Sequence, residues 1–196
     1  MGRRLAALLS ALFILAFTTD GLAHASGTRA AQTITLTVDA TDAPHKLFHA
    51  REVIPANPGA LTLYYPKWIP GEHGPTGPII NLAGLKFEAA GKALAWRRDP
   101  VDMFALHLDV PRGATTVEAD LEFLAPTFAG GFTSGSSTTS HLAVFAWNWI
   151  LLSPPVAHTD DLLFDASLRL PAGWRYGTAL RVERESQGEV NFVLLT

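Results

Sequence analysis

The chain has 196 residues, a formal net charge of −3 and no cysteine. The missing cysteines exclude disulfide bonds, thiolate zinc sites and a cysteine nucleophile. Lys and Arg form no run longer than two residues, as at Arg97-Arg98. The sequence therefore lacks the basic footprint of a nucleic-acid-binding protein, and we expect no nucleic-acid partner.

The first 25 residues have the pattern of a secretory signal peptide. Arg3 and Arg4 form a positive start, Leu5–Phe17 is an apolar run, and Ala23-His24-Ala25 is a small-x-small cleavage site. A helical run of this length spans roughly 20 Å, which is short of the roughly 30 Å hydrocarbon core of a bilayer. We therefore expect cleavage before residue 26, export to the periplasm or the extracellular space, and no membrane association after cleavage.

Residues 26–196 predict one all-β domain. Segments rich in β-branched and aromatic residues recur between turns of Pro, Gly, Asn and Asp, and no amphipathic helix follows any of them. The number of strands favours a two-layer β-sandwich or a saddle-shaped antiparallel sheet. The predicted strands are Thr33–Val38, Lys46–Ile54, Leu61–Tyr65, Leu82–Ala89, Met103–Val110, Thr116–Leu124, Leu142–Trp147, Leu162–Leu170 and Glu189–Leu195.

Two stretches between the strands predict loops. Pro66–Pro78, called the Trp68 loop below, contains four prolines and three glycines and cannot form a regular ladder. Its composition leaves both an ordered and a disordered loop open. Gly130–Ser140 is small and polar apart from Phe132, which predicts a mobile surface loop.

The sequence shows no metal-binding motif. His45 and His49 are four residues apart, and in a strand this separation is about 13 Å, too far for two imidazoles to bind one ion. Asp160-Asp161, with His158 and Thr159, favours a solvated turn, because adjacent side chains of an extended chain point to opposite sides. We therefore assign no metal ligand to this chain.

The sequence shows no nucleophile motif either. Ser134 precedes a glycine, but Phe132 stands where the first glycine of Gly-x-Ser-x-Gly belongs. Phosphate-binding glycine motifs are also absent from the sequence. We therefore assign no catalytic residue and no cofactor to this chain.

The Trp68 loop is the candidate binding surface. Trp68 offers a large rigid face at small entropic cost, and Glu72 and His73 beside it are suited to hold a polar end of a substrate. Trp68 fits a buried position at the sandwich edge equally well, so both interpretations remain open. Trp147 and Trp149 pose the same question, because strand alternation places both on one face, as a core pair or as a ligand shelf.

Several short motifs occur together along most of the chain after residue 26. The most specific is Pro-x-Trp-x-Pro-Gly at Pro66–Gly71, and the others are Asp42–His45, Phe48-His49, Leu61–Tyr65, Leu170–Trp174 and Thr178–Leu180. Through these residues the chain resembles the N-terminal domain of the glycyl aminopeptidase family, family sixty-one of the zinc metallopeptidases. The resemblance implies a β domain that precedes a thermolysin-like catalytic domain and a PDZ domain.

The chain departs from that family in two places. Family members commonly continue the Pro-Gly element with a tyrosine and an arginine, whereas Glu72 and His73 follow here. The sequence ends at Thr196, where the resemblance places the start of the catalytic domain, so no zinc ligand carries over to this chain. The resemblance therefore implies zinc only in the absent domain, and the apolar ending favours either a truncated gene product or a fragment cut at a domain edge.

These observations lead to one functional expectation and one alternative. We expect a non-catalytic N-terminal domain of a secreted metallo-aminopeptidase-like protein. The Trp68 loop would help form a peptide-binding cleft with the catalytic domain, which makes that domain and a peptide substrate the expected partners. The alternative is a stand-alone exported β-sandwich that binds peptides or carbohydrates through Trp68, Trp147 or Trp149.

Overall fold

The computed structural model describes residues 31–126, 137–156 and 159–195, so the predicted signal peptide lies outside the described residues. Within these ranges the regular elements are short strands and 3-10 turns, and no helix is long and apolar enough to cross a membrane. The strands are β1 (Gln32–Asp39), β2 (Leu47–Pro55), β3 (Gly59–Tyr64), β4 (Leu82–Ala89), β5 (Lys92–Leu94), β6 (Trp96–Arg98), β7 (Ala105–Val110), β8 (Thr116–Leu124), β9 (Ser137–Thr138), β10 (Ala143–Val144), β11 (Leu162–Arg169), β12 (Val182–Ser186) and β13 (Glu189–Phe192). The 3-10 turns are Ala43–His45, Ile79–Asn81, Trp147–Trp149 and Thr159–Asp161.

The strands form a large sheet and a small sheet, which confirms the all-β prediction. The large sheet has the order β12-β13-β11-β1-β2-β8-β4-β5, the small sheet has the order β3-β7-β6, and β9 and β10 form a separate ribbon. The prediction of antiparallel sheets is wrong for one pair, because β1 and β11 run parallel from Gln32↔Leu162 to Asp39↔Arg169. Parallel and antiparallel strands share the same two-residue side-chain period, so the alternation could not reveal this direction.

The inner faces of the two sheets contribute to one hydrophobic core. In the large sheet, alternation buries Phe48 and Ile54 of β2 and Phe123 of β8, and in the small sheet it buries Leu63 and Leu106. Burying each large apolar side chain of this kind stabilises the fold by about 1.5–3 kcal/mol. The outer face of the large sheet is polar, with Arg51 in contact with Glu118 and with Asp120 across β2 and β8.

One ionisable residue, Glu52, lies within this core. Its side chain is fully buried, and both carboxyl oxygens accept the Leu152 backbone N–H, at 3.1 and 2.9 Å. Burial raises the pKa of Glu52 well above its ordinary value, and the Leu152 N–H only partly opposes that rise. Glu52 therefore ties the segment 147–153 to the inner face of the large sheet, and its burial favours the neutral form of the acid.

The predicted strand Leu142–Trp147 is present only as the two residues of β10. The chain then closes a 3-10 turn, in which Trp149 N–H and Ile150 N–H donate to the carbonyls of Ala146 and Trp147 at 3.0 and 3.1 Å. The turn places Trp149 and Ile150 in the core, and this tertiary packing outweighs the strand propensity of the segment.

Other differences lie at strand ends and edges. His45 lies in the 3-10 turn before β2, and Lys46, predicted as the first residue of the strand, has a φ of 68°, which no strand accommodates. Strands β5, β6 and β12 were not predicted, because their residues are largely exposed and charged and show no apolar alternation. Most of the predicted mobile loop Gly130–Ser140 lies outside the described residues, but its end forms β9, where Thr138 is buried.

Candidate functional site

The Trp68 loop begins from a firmly anchored base. Tyr64 and Ser153 exchange two backbone hydrogen bonds, of 2.8 and 3.0 Å, and Tyr65 N–H donates to the Phe104 carbonyl at 2.9 Å. The buried Tyr65 hydroxyl donates to the Trp149 carbonyl at 2.8 Å. Burial raises the pKa of Tyr65, so this hydroxyl stays a donor across the physiological pH range.

Removing this hydroxyl is expected to weaken the base of the loop. Tyr65→Phe should lower the free energy of unfolding by about 0.5–1.5 kcal/mol, because the Trp149 carbonyl loses its buried donor. Tyr176→Phe is the matched control, since the Tyr176 hydroxyl bonds Glu185 in an exposed pair. Urea denaturation checks both variants, and equal losses would contradict a special role for the buried bond.

The interior of the Trp68 loop is also ordered. Gly77 N–H donates to the Lys67 carbonyl at 3.0 Å, and Glu72 N–H donates to the Ile69 carbonyl at 3.0 Å. Gly77 packs directly on the Pro66 backbone, where a built Cβ would lie 1.9 Å from the carbonyl oxygen. Of the two possibilities that the composition left open, the structure shows the ordered loop.

An ion pair joins the Trp68 loop to the turn between β6 and β7. Lys67 Nζ lies 3.1 Å from Asp102 Oδ2 and 5.5 Å from the centroid of the Phe104 ring. The Lys67 ammonium, with the Phe104 N–H, lowers the pKa of Asp102. The loop is therefore held by side chains as well as by its own backbone.

All three predicted binding residues lie on this ordered loop. Trp68 is 64% exposed, His73 is exposed and Glu72 is half-buried. Ile69, next to Trp68, is buried and fixes the loop to the core. Trp68 is thus presented to solvent on a rigid frame, which excludes the interpretation of Trp68 as a core residue.

Trp147 and Trp149 belong to the interior instead. The Trp149 ring is 7% exposed and stacks on Phe123 at 6.1 Å between centroids. Trp147 is half-buried and packs edge-on against Phe145 and Phe192 at 5.5 and 5.3 Å. The two rings serve as packing, and they do not form an exposed aromatic shelf with Trp68.

His45 and His49 lie closer together than a strand would place them, because Asp42 bridges them. His45 Nδ1 lies 3.1 Å from Asp42 Oδ1, and His49 Nε2 lies 3.2 Å from Asp42 Oδ2. Hydrogen bonds from His45 and then His49 lower the pKa of Asp42. Within the described ranges, no group of three or more His, Asp or Glu side chains has the arrangement of a metal site.

The other candidate residues of the sequence analysis lie elsewhere. Asp160 and Asp161 lie in a 3-10 turn, and Ser134 and His158 are outside the described residues.

Exposed apolar side chains concentrate around the Trp68 loop. The loop runs from the end of β3 to the start of β4, the turn 99–104 leads into β7, and the β9–β10 ribbon bonds to Pro126 just after β8. These segments meet at one end of the domain, called the apolar end below. Of the eleven large apolar residues that are exposed in the described part of the chain, eight lie there: Tyr64, Trp68, Ile80, Val101, Met103, Leu124, Leu142 and Val144.

A polar cluster that the sequence did not predict lies on the outer face of the small sheet. His107 Nδ1 is 3.0 Å from Thr62 Oγ1, and His107 Nε2 is 2.8 Å from Asp99 Oδ2. Thr62 and His107 are directly opposite each other on β3 and β7, and both line a groove of about 270 Å³. The available signal was His107 itself, a polar residue between Leu106 and Leu108 in a strand with apolar alternation.

The two sheets, the shared core and the ordered loop that exposes Trp68 at one end define an all-β domain. The chain matches the model of the Peptidase M61 N-terminal domain over residues 35–194. The chain therefore belongs to this family, which confirms the resemblance that the Pro-x-Trp-x-Pro-Gly element indicated.

A solved structure of a larger protein shows a similar fold. The aminopeptidase N family protein from Idiomarina loihiensis has a TM-score of 0.65 and 18% identity, over 81% of this chain and 26% of that chain. An M1 zinc metallopeptidase mutant from Deinococcus radiodurans, bound to a Tyr-Ser-Ala substrate, has a TM-score of 0.47 and 10% identity, over 83% of this chain and 38% of that one. The chain thus spans well under half the length of either protein. No curated protein matches it.

Proposed function

We propose that this chain is the non-catalytic N-terminal domain of an exported metallo-aminopeptidase-like protein, and that its apolar end docks on a zinc-containing catalytic domain. The Trp68 loop then forms one wall of a peptide-binding cleft between the two domains. The observation that carries the proposal is the concentration of exposed apolar side chains at the end where Trp68 is presented. The family membership supplies the kind of partner.

The physical argument rests on what an apolar surface does in water. Large exposed patches on soluble domains mark interaction sites, because water is released when a partner covers them. Ile80 is 90% exposed, Val101 94% and Trp68 64%, so these side chains have little contact within the domain. They are suited to be covered by another surface.

The rigidity of the Trp68 loop fits a role in recognition. The Lys67–Asp102 ion pair and the Gly77–Lys67 backbone bond hold the loop before any ligand arrives. A preorganised aromatic loses little conformational entropy on binding, so more of its contact energy appears as affinity. Glu72 and His73 provide polar groups beside Trp68 for the polar end of a peptide.

Binding to a separately produced catalytic domain of this peptidase family tests the docking. Trp68→Ala is expected to weaken binding by about 2 kcal/mol, roughly 30-fold, as a central aromatic anchor does. Isothermal titration calorimetry measures the affinity. Val182→Ala, on an edge strand and 40% exposed, is the control and should bind like the parent chain. Equal affinity of the Trp68 variant and the parent would contradict the proposal.

A second measurement tests the non-catalytic role. With added zinc, the chain alone should leave glycyl and alanyl anilides intact. Zinc-dependent cleavage that disappears in His45→Ala or His49→Ala would overturn the proposal.

The alternative is a stand-alone module that binds carbohydrates or peptides through Trp68, Trp147 or Trp149, and exposed tryptophans in a line would support it. The packing of Trp147 and Trp149 leaves Trp68 as the exposed member of that set. Titration of tryptophan fluorescence with oligosaccharides separates the two hypotheses, because the docking proposal expects no saturable change.

A further inference from the structure

We propose that Thr62 is a nucleophile activated by His107 and Asp99, and that the groove on the outer face of the small sheet accepts small acyl esters. This ester cleavage needs no zinc and is distinct from the peptidase activity that the proposed function denies to this chain. It is also separate from the proposed docking, since the groove is formed by β3, β6 and β7 rather than by the Trp68 loop.

Sheet register brings the three residues together. Thr62 on β3 is opposite His107 on β7, and His107 is opposite Arg97 on β6, so the row crosses all three strands of the small sheet. Asp99 follows β6 directly and reaches the other nitrogen of the imidazole at 2.8 Å. The imidazole thus hydrogen-bonds a hydroxyl through one nitrogen and a carboxylate through the other. This is the arrangement that activates an alcohol for acyl transfer.

Asp99 determines which nitrogen of His107 carries the proton. Its Oδ1 accepts the backbone N–H groups of Val101 and Asp102, both at 2.9 Å. The Asp102 N–H, then His107 and the Val101 N–H lower the pKa of Asp99, so this carboxyl is ionised and can only accept. His107 Nε2–H therefore donates to Asp99, which leaves Nδ1 free to accept the Thr62 hydroxyl proton.

The groove gives a substrate access to Thr62. Its volume of about 270 Å³ is enough for a small ester, and Thr62, Arg97 and His107 line it from the same face of the sheet. The side chains of His107 and Asp99 are 24% and 28% exposed, so the pair is sheltered but open to solvent on one side. Arg97 lines the same groove and supplies positive charge for the negative oxygen that develops during attack.

The reaction balances without an external reagent except water. The Thr62 oxygen attacks the ester carbonyl and its proton passes to His107 Nδ1. The carbon–oxygen bond to the alcohol breaks, and the alcohol leaves with that proton. Water then attacks the acyl-threonine through the same base, which releases the carboxylic acid and restores the Thr62 hydroxyl.

The test uses p-nitrophenyl acetate with the purified chain, with release of p-nitrophenol followed by absorbance and acetylation located by peptide mass spectrometry. The parent chain should acetylate at Thr62. Thr62→Val and His107→Gln should each lower the rate of p-nitrophenol release by roughly 100-fold, which is the lower end of what a general base contributes. Thr62→Ser should keep the rate of the parent chain. Thr35→Val, an exposed threonine of β1, is the matched control and should leave the rate unchanged.

Asp99→Asn separates catalysis from a structural role. The asparagine oxygen can still accept the Val101 and Asp102 N–H groups, so the turn is kept. Its amide N–H donates to Nε2 and forces the proton of His107 onto Nδ1, which then cannot accept from Thr62. A normal melting temperature with a rate lowered roughly 100-fold supports the proposal. Acetyl groups on lysines or the N-terminus alone, or equal rates in the parent and Thr62→Val, would show that the row is only a structural hydrogen-bond chain.

Discussion

Gly77→Ala is expected to lower the free energy of unfolding by about 3 kcal/mol, at the upper end of overpacking effects. The new Cβ would lie 1.9 Å from the Pro66 carbonyl oxygen and 3.1 Å from Phe104 Cε1. The first contact is with backbone, which cannot move aside as the end of a flexible side chain does. The Trp68 loop must shift, and the Gly77–Lys67 hydrogen bond is expected to be lost with it.

Gly74→Ala in the same loop is the matched control. The nearest atom to its built Cβ is Thr76 Cγ2 at 3.8 Å, an ordinary contact. Lower entropy of the unfolded chain should make this variant neutral or slightly more stable than the parent, by up to about 1 kcal/mol. Urea denaturation measures both variants, and tryptophan fluorescence reports the environment of Trp68. Similar stabilities of the two variants would mean that the close contact at Gly77 is not a constraint.

The second large effect is a dependence of stability on pH caused by Glu52. Its folded-state pKa is raised well above the ordinary value of 4.5, so below that value the acid is protonated in both states. Above it, the unfolded chain releases the proton while the folded chain retains it. The free energy of unfolding therefore falls as pH rises, by up to about 1.4 kcal/mol per pH unit, until the folded-state pKa is reached.

Comparison with Glu52→Gln isolates this contribution. Glutamine keeps a carbonyl oxygen for the Leu152 N–H but cannot ionise, so its curve lacks the Glu52 slope. Urea denaturation at several pH values from 5 to 8 gives the free energy of unfolding of the parent and of the variant. The difference between these two free energies should shift in favour of the variant as pH rises. Glu88→Gln, at an exposed position of β4, is the control and should run parallel to the parent. A constant difference for Glu52→Gln would contradict a neutral buried acid.

The strands of this fold were predictable wherever one face of the strand is buried and the other is exposed to solvent. Ile34, Leu36 and Val38 alternate with exposed threonines, and this pattern gave β1 almost to the residue. The pattern carries no information on direction, so the parallel β1–β11 pair was missed. At Trp147 and Trp149 the same reasoning failed, because interior packing turned the backbone into a 3-10 turn.

The candidate sites differed in how far the sequence revealed them. The Trp68 loop could be found because its residues are contiguous and their composition is unusual. Thr62 and His107 are 45 residues apart, and their contact exists only through the register of β3 and β7. Glu52 occupies a core position of β2 that a polar residue seldom fills, so its burial was visible only in three dimensions.

The parallel pairing of β1 and β11 also governs when the large sheet can form. Antiparallel partners for β1 and β2 are complete once residue 124 has been made, but the other side of β1 stays unpaired until residues 162–169 emerge. During synthesis the chain therefore carries an open strand edge in its middle, with hydrogen-bonding groups available to any passing extended segment. Pairing between strands that are far apart in the sequence slows folding. The chain is therefore at greatest risk of aggregation before β11 pairs with β1.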